Sequence, residues 1–232
     1  HRYGMKYANE PLPPTSCTCP ICWQGTDGAS HILAGCRHPN MTGAYINRHD
    51  EAVKILQRAI SKGSMGNCTT FMDAGAAADL PADVQSKRLP DWLRPDTTTP
   101  TIWKKMRPDI LILPTLTNGD TPTPGVKQTI HIVEVGYCSD TNHEVKLLAK
   151  AQQHQQLAEA LRAAGHDVRM HLITLGTTGT IRQDTLNTVR DLGVEGDHAP
   201  RLLMKLHANA IHYVQSITAM RRHMERGDGQ LG

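Results

Sequence analysis

RPDILIL at 107–113 and TIHIVEVGYC at 129–138 decide the reading of this chain. Both runs are apolar and β-branched, so each reads as a strand. Between them, Pro114 to Gln128 holds Asn118-Gly119 and three prolines, the composition of a long connecting loop. Each run also carries one carboxylate. Asp109 follows Pro108 and opens directly into the apolar residues Ile110 to Leu113. Two other Pro-Asp pairs, Pro90-Asp91 and Pro95-Asp96, lack such a strand. Glu134 lies inside the second run with Ile130 and Ile132, where a carboxylate is costly unless a metal or a cation compensates its desolvation.

Downstream, Thr141 and Glu144 have the spacing of a capping box. Val145, Leu148, Leu157 and Leu161 predict an apolar helical stripe, and Gly165 stands at a C-terminal cap position. Lys146 and Lys150 lie one turn apart, and Lys150 shares its stripe with His154 and the packed leucines. Val168 to Leu175 reads as another strand and Thr185 to Leu192 as a short helix. In a long last helix Leu203, Leu206, Ala210, Tyr213, Ile217, Met220 and Met224 recur by three or four.

Upstream, a helix is expected from Asn47, with Asn47 as its cap, Asp50 in its first turn and Val53, Leu56 and Ile60 on its apolar face. It ends near Gly63. Residues 64–100, rich in Ala, Asp, Pro and Thr, suggest one short helix, and Thr101 to Lys105 an edge strand. The order helix, three strands, helix, strand, helices predicts an α/β fold with a mixed central sheet flanked by helices.

Cys19, Cys22, His31 and Cys36 have the spacing C-x2-C-x8-H-x4-C, which suits four ligands at the corners of a zinc tetrahedron. Cys17, His38 and His49 are close enough to substitute for one of them, and a chance cluster of thiols is the plain alternative. A disulfide framework is not expected in a chain this long without a secretory signal. For Glu134 the plain alternative is a structural salt bridge, for Asp109 a turn or cap, and for a helical lysine a solvated charge.

The 232 residues have a net charge of +3 and a sequence pI near 8.6, compatible with nucleic-acid contact. No apolar run approaches the ~18 residues of a membrane span, so no membrane partner is expected. Cations cluster late in the chain, at Arg201, Lys205, Arg221, Arg222 and Arg226; all five are expected to stay available to phosphates, with Arg221 and Arg222 as the named contacts and a merely solvated basic face as the plain alternative. The chain opens on His1 and is read as a fragment of a longer polypeptide. The expected organisation is a linker at 1–16, a zinc knuckle at 17–46, a core at 47–198 and a basic amphipathic helix and tail at 199–232.

Taken together, the C-x2-C-x8-H-x4-C spacing, Arg48-His49-Asp50, Arg107-Pro108-Asp109, Glu134-Val135 and a lysine-bearing helix resemble one module over roughly Cys17 to Gly176. It is the C-terminal zinc knuckle and restriction-like endonuclease, of the PD-(D/E)XK fold, of early-branching, site-specific non-LTR retrotransposons. The resemblance implies Mg²⁺ or Mn²⁺ on Asp109 and Glu134, with the Val135 carbonyl as a further ligand, and a structural Zn²⁺ in the knuckle. The family's helix pattern K-x-x-K-Y-x-x-L maps onto Lys150 to Leu157, where Gln153 and His154 replace the second lysine and the tyrosine. Asp109, Glu134 and Lys150 would be catalytic, and Arg48 and His49 would contact nucleic acid or support the site. The implied activity is nicking of double-stranded target DNA in the nucleus, leaving a 3′ hydroxyl for an upstream reverse transcriptase domain to extend on element RNA. Two other readings stay open: a non-catalytic nucleic-acid-binding module on a nuclease-like scaffold, and a cellular repair or restriction-type nuclease.

Overall fold

The structure is a computed structural model and describes residues 18–72, 93, 107–114 and 126–227. The linker at 1–16, Cys17, the edge strand expected at Thr101 to Lys105, Asp91, Asp96 and most of the 114–128 loop lie outside the described residues.

After a π-helical turn at His31–Gly35, α1 runs from Pro39–Ile60. It therefore starts well before Asn47, which sits inside it. Pro39 presets the helical φ at the first position, and the His38 ring accepts a hydrogen bond from the Asn40 N–H. Four strands follow as β1 (Thr69–Met72), β2 (Ile110–Leu113), β3 (Thr129–Cys138) and, after α2 (His143–Ala163), β4 (Asp167–Gly176). α3 (Asp184–Asp191) and α4 (His198–Gly227) close the chain. The strand β1 was not expected; its four residues are too few to show a period.

The sheet order is β1-β2-β3-β4, with β1 antiparallel to β2, β2 antiparallel to β3, and β3 parallel to β4. Parallel neighbours need a long crossover, and α2 supplies it. The fold is thus mixed α/β with a four-stranded mixed sheet. One sheet face packs Leu111, Leu113, Ile130, Ile132 and Val168 on Leu157, Ala158 and Leu161 of α2. The other packs Ile110, Ile112, Val133, Val135, Ile173 and Leu175 on α1, α3 and α4. Each of these buried Leu, Ile and Val side chains contributes ~1.5–3 kcal/mol. A third, smaller core joins Cys19, Leu33, Cys36, Met41 and Ala44 to Ile217 of α4.

Two local expectations are corrected at α2. No capping box forms: Asn142 is the N-cap and makes no side-chain cap bond. The Thr141 hydroxyl meets that of Ser139 instead, and Glu144 pairs with Arg182. Val145 and Leu148 are exposed, at 67% and 61%, while Leu157 and Leu161 are buried. The inward stripe of α2 begins with polar residues because it faces buried charge, and becomes apolar only after His154. Gly165 does cap the helix, with φ +92 and its N–H bonded to the Arg162 carbonyl.

Candidate functional site

The β2–β3 register sets Ile110 against Val133 and Leu111 against Ile132. One step further brings Asp109 opposite Glu134. The Asp109 carboxylate accepts the Val135 N–H at 2.7 Å, and the Asp109 N–H donates to Glu134 Oε2 at 3.3 Å. Two carboxylates are thereby held side by side on the backbone rather than on flexible loops.

Glu134 projects to the α2 face with Ile130 and Ile132, and its side chain is 1% exposed. Lys150 Nζ donates to its Oε1, and His154 Nε2 lies 2.9 Å from Oε2. Burial pushes the Glu134 carboxyl up, but His154 and Lys150 more than reverse this and hold it below the usual carboxylate range. Lys146 belongs to the same surface. A Cβ on Gly136 would lie 3.1 Å from Lys146 Cε and 3.5 Å from Lys150 Cε, so this glycine in mid-strand leaves room for both lysines.

His49 reaches the site from α1. Its Nε2 lies 3.1 Å from Asp109 Oδ2 and 3.3 Å from the Val135 carbonyl, while Nδ1 meets Asp50 at 3.2 Å. The hydrogen bond to Asp109 outweighs burial and raises the imidazole to about 9, so it is protonated at neutral pH in this state. Asp140, just beyond β3, packs against Gly176 instead, and hydrogen bonds with Thr180 and Thr178 overcome its burial and depress its pKa.

The second cluster is local. The ligand atoms of Cys19, Cys22, His31 and Cys36 all lie within 4.8 Å of one another, and the cluster can hold a structural zinc. Cys22 Sγ is 3.3 Å from His31 Nε2. Burial acts to raise Cys22, yet backbone hydrogen bonds at Gln24 and Arg37 and the neighbouring thiols bring it down to about 6. Cys36 is pushed up to about 11 by burial and by the competing charge of Cys19 and Cys22. His38 caps α1 and His49 serves the carboxylates, so neither is part of this quartet.

Two arginines expected at a nucleic-acid surface are placed inside. Arg221 is 3% exposed; it donates to Asp27 at 3.1 Å, to Glu225 at 2.9 Å and to Cys19 Sγ at 3.1 Å. Arg48 is 2% exposed, donates to the Leu33 carbonyl at 2.9 Å and lies 4.2 Å over the Tyr137 ring. Both therefore tie the Cys/His segment to the sheet and to α4 rather than facing a phosphate, whereas Arg222 is exposed.

The contacts of His154 and His49 with the carboxylates were not legible in the sequence. The only signal was position: His154 on the Lys150 stripe, and His49 beside Arg48. No protein-family model matches the chain, and no curated protein matches it.

Proposed function

We propose that this chain is a metal-dependent DNA endonuclease of the PD-(D/E)XK type that nicks duplex DNA and leaves a 3′ hydroxyl. The observation that carries this reading is the convergence of Asp109, Glu134 and Lys150 from two adjacent strands and the crossover helix. The donor set suits a hard divalent cation: two carboxylates, with the Val135 carbonyl beside them, already attract Lys150 and a protonated His49. Asp109 and Glu134 would hold Mg²⁺ or Mn²⁺, which would polarise the phosphodiester and lower the pKa of the attacking water. Lys150 keeps Glu134 ionised and offers its remaining N–H donors to the charge that builds on the phosphate. His154 and the Asp109 N–H hold the other Glu134 oxygen, so the carboxylate is oriented in advance. By the sequence resemblance, the 3′ end would prime an upstream reverse transcriptase on element RNA in the nucleus.

The test is a plasmid-nicking assay with and without Mg²⁺ or Mn²⁺. Asp109→Ala and Glu134→Ala should each abolish cation-dependent nicking and leave metal-free DNA binding equal or stronger, with the double variant hardly worse than either. Wild-type protein that binds duplexes but nicks none, the element's own target included, would make it a binding module.

A further inference from the structure

Beside Gly63 and Val194, the C-terminal part of α1 and the first turns of α4 border an open cleft of about 320 Å³. Arg58 lines it from α1, Lys62 from the turn just after that helix, Arg201 and Lys205 from α4, and His198 and Glu195 complete its polar rim. All four cations are exposed. Arg201 and Lys205 are spaced i, i+4, so α4 presents two like charges on one face, which costs on the order of a few tenths of a kcal/mol in the absence of an anion. Arg58 has a loose contact with Glu51 at 3.7 Å. Among the described residues, Lys62, Arg201 and Lys205 have no acidic partner within salt-bridge range. Among the described residues, Glu195 is the only carboxylate on the lining.

We propose that this cleft is a second nucleic-acid site, taking the phosphodiester backbone of a duplex away from the carboxylate cluster. It rests on the nuclease reading only for the identity of the ligand as DNA. Two guanidinium forks and two ammonium groups around one groove match successive phosphate oxygens, with bidentate capture by the arginines. Arg58 follows His49 by nine residues, hence by about 14 Å and two and a half turns along α1. The cleft therefore opens on the opposite side of α1 from the carboxylates. It holds duplex flanking the nicked segment, or a second stretch of the same DNA, and does no chemistry. Of the basic residues expected along α4, Arg221 is buried, whereas Arg201 and Lys205 at the opposite end are exposed and join Arg58 and Lys62 at the cleft.

The experiment is duplex-DNA binding by the full chain at several salt concentrations, without added Mg²⁺ or Mn²⁺. Arg201→Gln/Lys205→Gln and Arg58→Gln/Lys62→Gln should each flatten the log K against log [salt] slope by about 1–2, from ~0.9 for each phosphate no longer neutralised. Lys54→Gln, an exposed cation of α1 outside the cleft, should leave it unchanged. All these positions are exposed, and circular dichroism confirms that the variants fold. Unchanged slopes, or an equal loss for Lys54→Gln, would overturn the proposal. So would a cleft that binds inorganic phosphate, seen as amide shifts near Gly63 and Val194, while the duplex slope stays at the wild-type value. Nicking is scored separately: wild type that never nicks but loses slope in the cleft variants ends the nuclease reading and leaves the cleft standing.

Discussion

The Cys/His cluster and the carboxylate cluster lie on either side of α1 in sequence and are built by opposite means. The four sulfur and nitrogen donors come from one short segment, Cys19 to Cys36, with little apolar material of its own. The carboxylate cluster draws His49 from α1, Asp109 from the start of β2, Glu134 from β3, and Lys150 and His154 from α2. The first can hold an ion between its four donors and takes its apolar contacts from α1 and α4. The second is imposed by a sheet packed on both faces, and persists as long as the sheet does.

The largest effect that would break this contrast is removal of zinc. Structural zinc sites of small modules carry an apparent ~10 kcal/mol or more of folding free energy. Chelation, or Cys36→Ser, should therefore strip hydrogen-exchange protection from 18–36 and from α4 beyond Tyr213, which packs on that segment. Amides of β2, β3 and β4 should stay protected. Equal loss in the sheet would make the two clusters one cooperative unit.

Next in size is the difference between the two lysines. Lys150 contacts the buried Glu134, whereas Lys146 lies over Gly136 without touching it. Lys150→Ala should lower the nicking rate about 10²–10³-fold, the usual cost of losing one charge-stabilising donor. Lys146→Ala should cost less than about tenfold. The reverse ranking would mean that Lys146 serves the reaction.

Much of this was legible in the sequence. The runs at 107–113 and 129–138 predicted β2 and β3 because two-sided burial demands continuous apolar residues. The zinc quartet was readable because its ligands are local. Pairing across the sheet was not: nothing in the sequence sets Asp109 opposite Glu134 until the β2–β3 register is known. The burial of Arg221, expected to face phosphates, and of Arg48, expected to contact nucleic acid or support the site, was hidden for a related reason. A basic residue on a helix is solvated unless a distant carbonyl or carboxylate meets it, and Leu33 and Asp27 are supplied by the fold. The α1 start was missed because a proline opening looks like a break when its cap, His38, is not a usual capping residue.

Charge also behaves differently away from the carboxylates. His131 Nδ1 and His171 Nε2 meet at 2.9 Å on the face of β3 and β4 towards α1 and α3. Burial, then the neighbouring His131, lowers His171 to about 4, with Asp191 opposing and Arg169 assisting. A folded pKa below the unfolded ~6.5 means that the unfolded chain binds the proton first. Stability should therefore be full above pH 6.5 and fall as pH drops towards 4, by up to about 3 kcal/mol. Urea unfolding of wild type and His171→Asn across pH 7 to 4 reads this, since zinc release affects both alike. Parallel pH profiles would remove His171 as the cause.

A smaller effect belongs to Arg221, which joins the Cys/His cluster to α4. Its guanidinium donates to Cys19 Sγ and is held by Asp27 and Glu225. Outer groups that orient a metal ligand are worth about 10–100-fold in metal affinity. Arg221→Met, which keeps the buried aliphatic stem, should weaken zinc binding by that factor in a chelator competition. Nicking by the zinc-saturated variant should be unchanged, because the carboxylates are held by the sheet. Unaltered zinc affinity would reduce Arg221 to a packing residue.

The smallest expected effect tests how α2 carries one region into the other. Val145 and Leu148 have the spacing of a packed stripe but are exposed, while His143, Lys150 and His154 turn inward over the end of the sheet that bears charge. His143 Nδ1 meets the Thr174 hydroxyl at 3.0 Å, which anchors this polar half without an apolar contact. Surface changes away from such anchors stay within about ±0.5 kcal/mol, whereas truncating a buried leucine costs ~2–5 kcal/mol. Val145→Gln and Leu148→Gln together should leave the urea midpoint nearly unmoved, and Leu157→Ala should lower it clearly. A large loss from the first pair would put the apolar stripe back where the sequence alone suggested it. Lys150 and His154 would then rotate away from Glu134, and the buried carboxylate would lose the contacts that hold its pKa down.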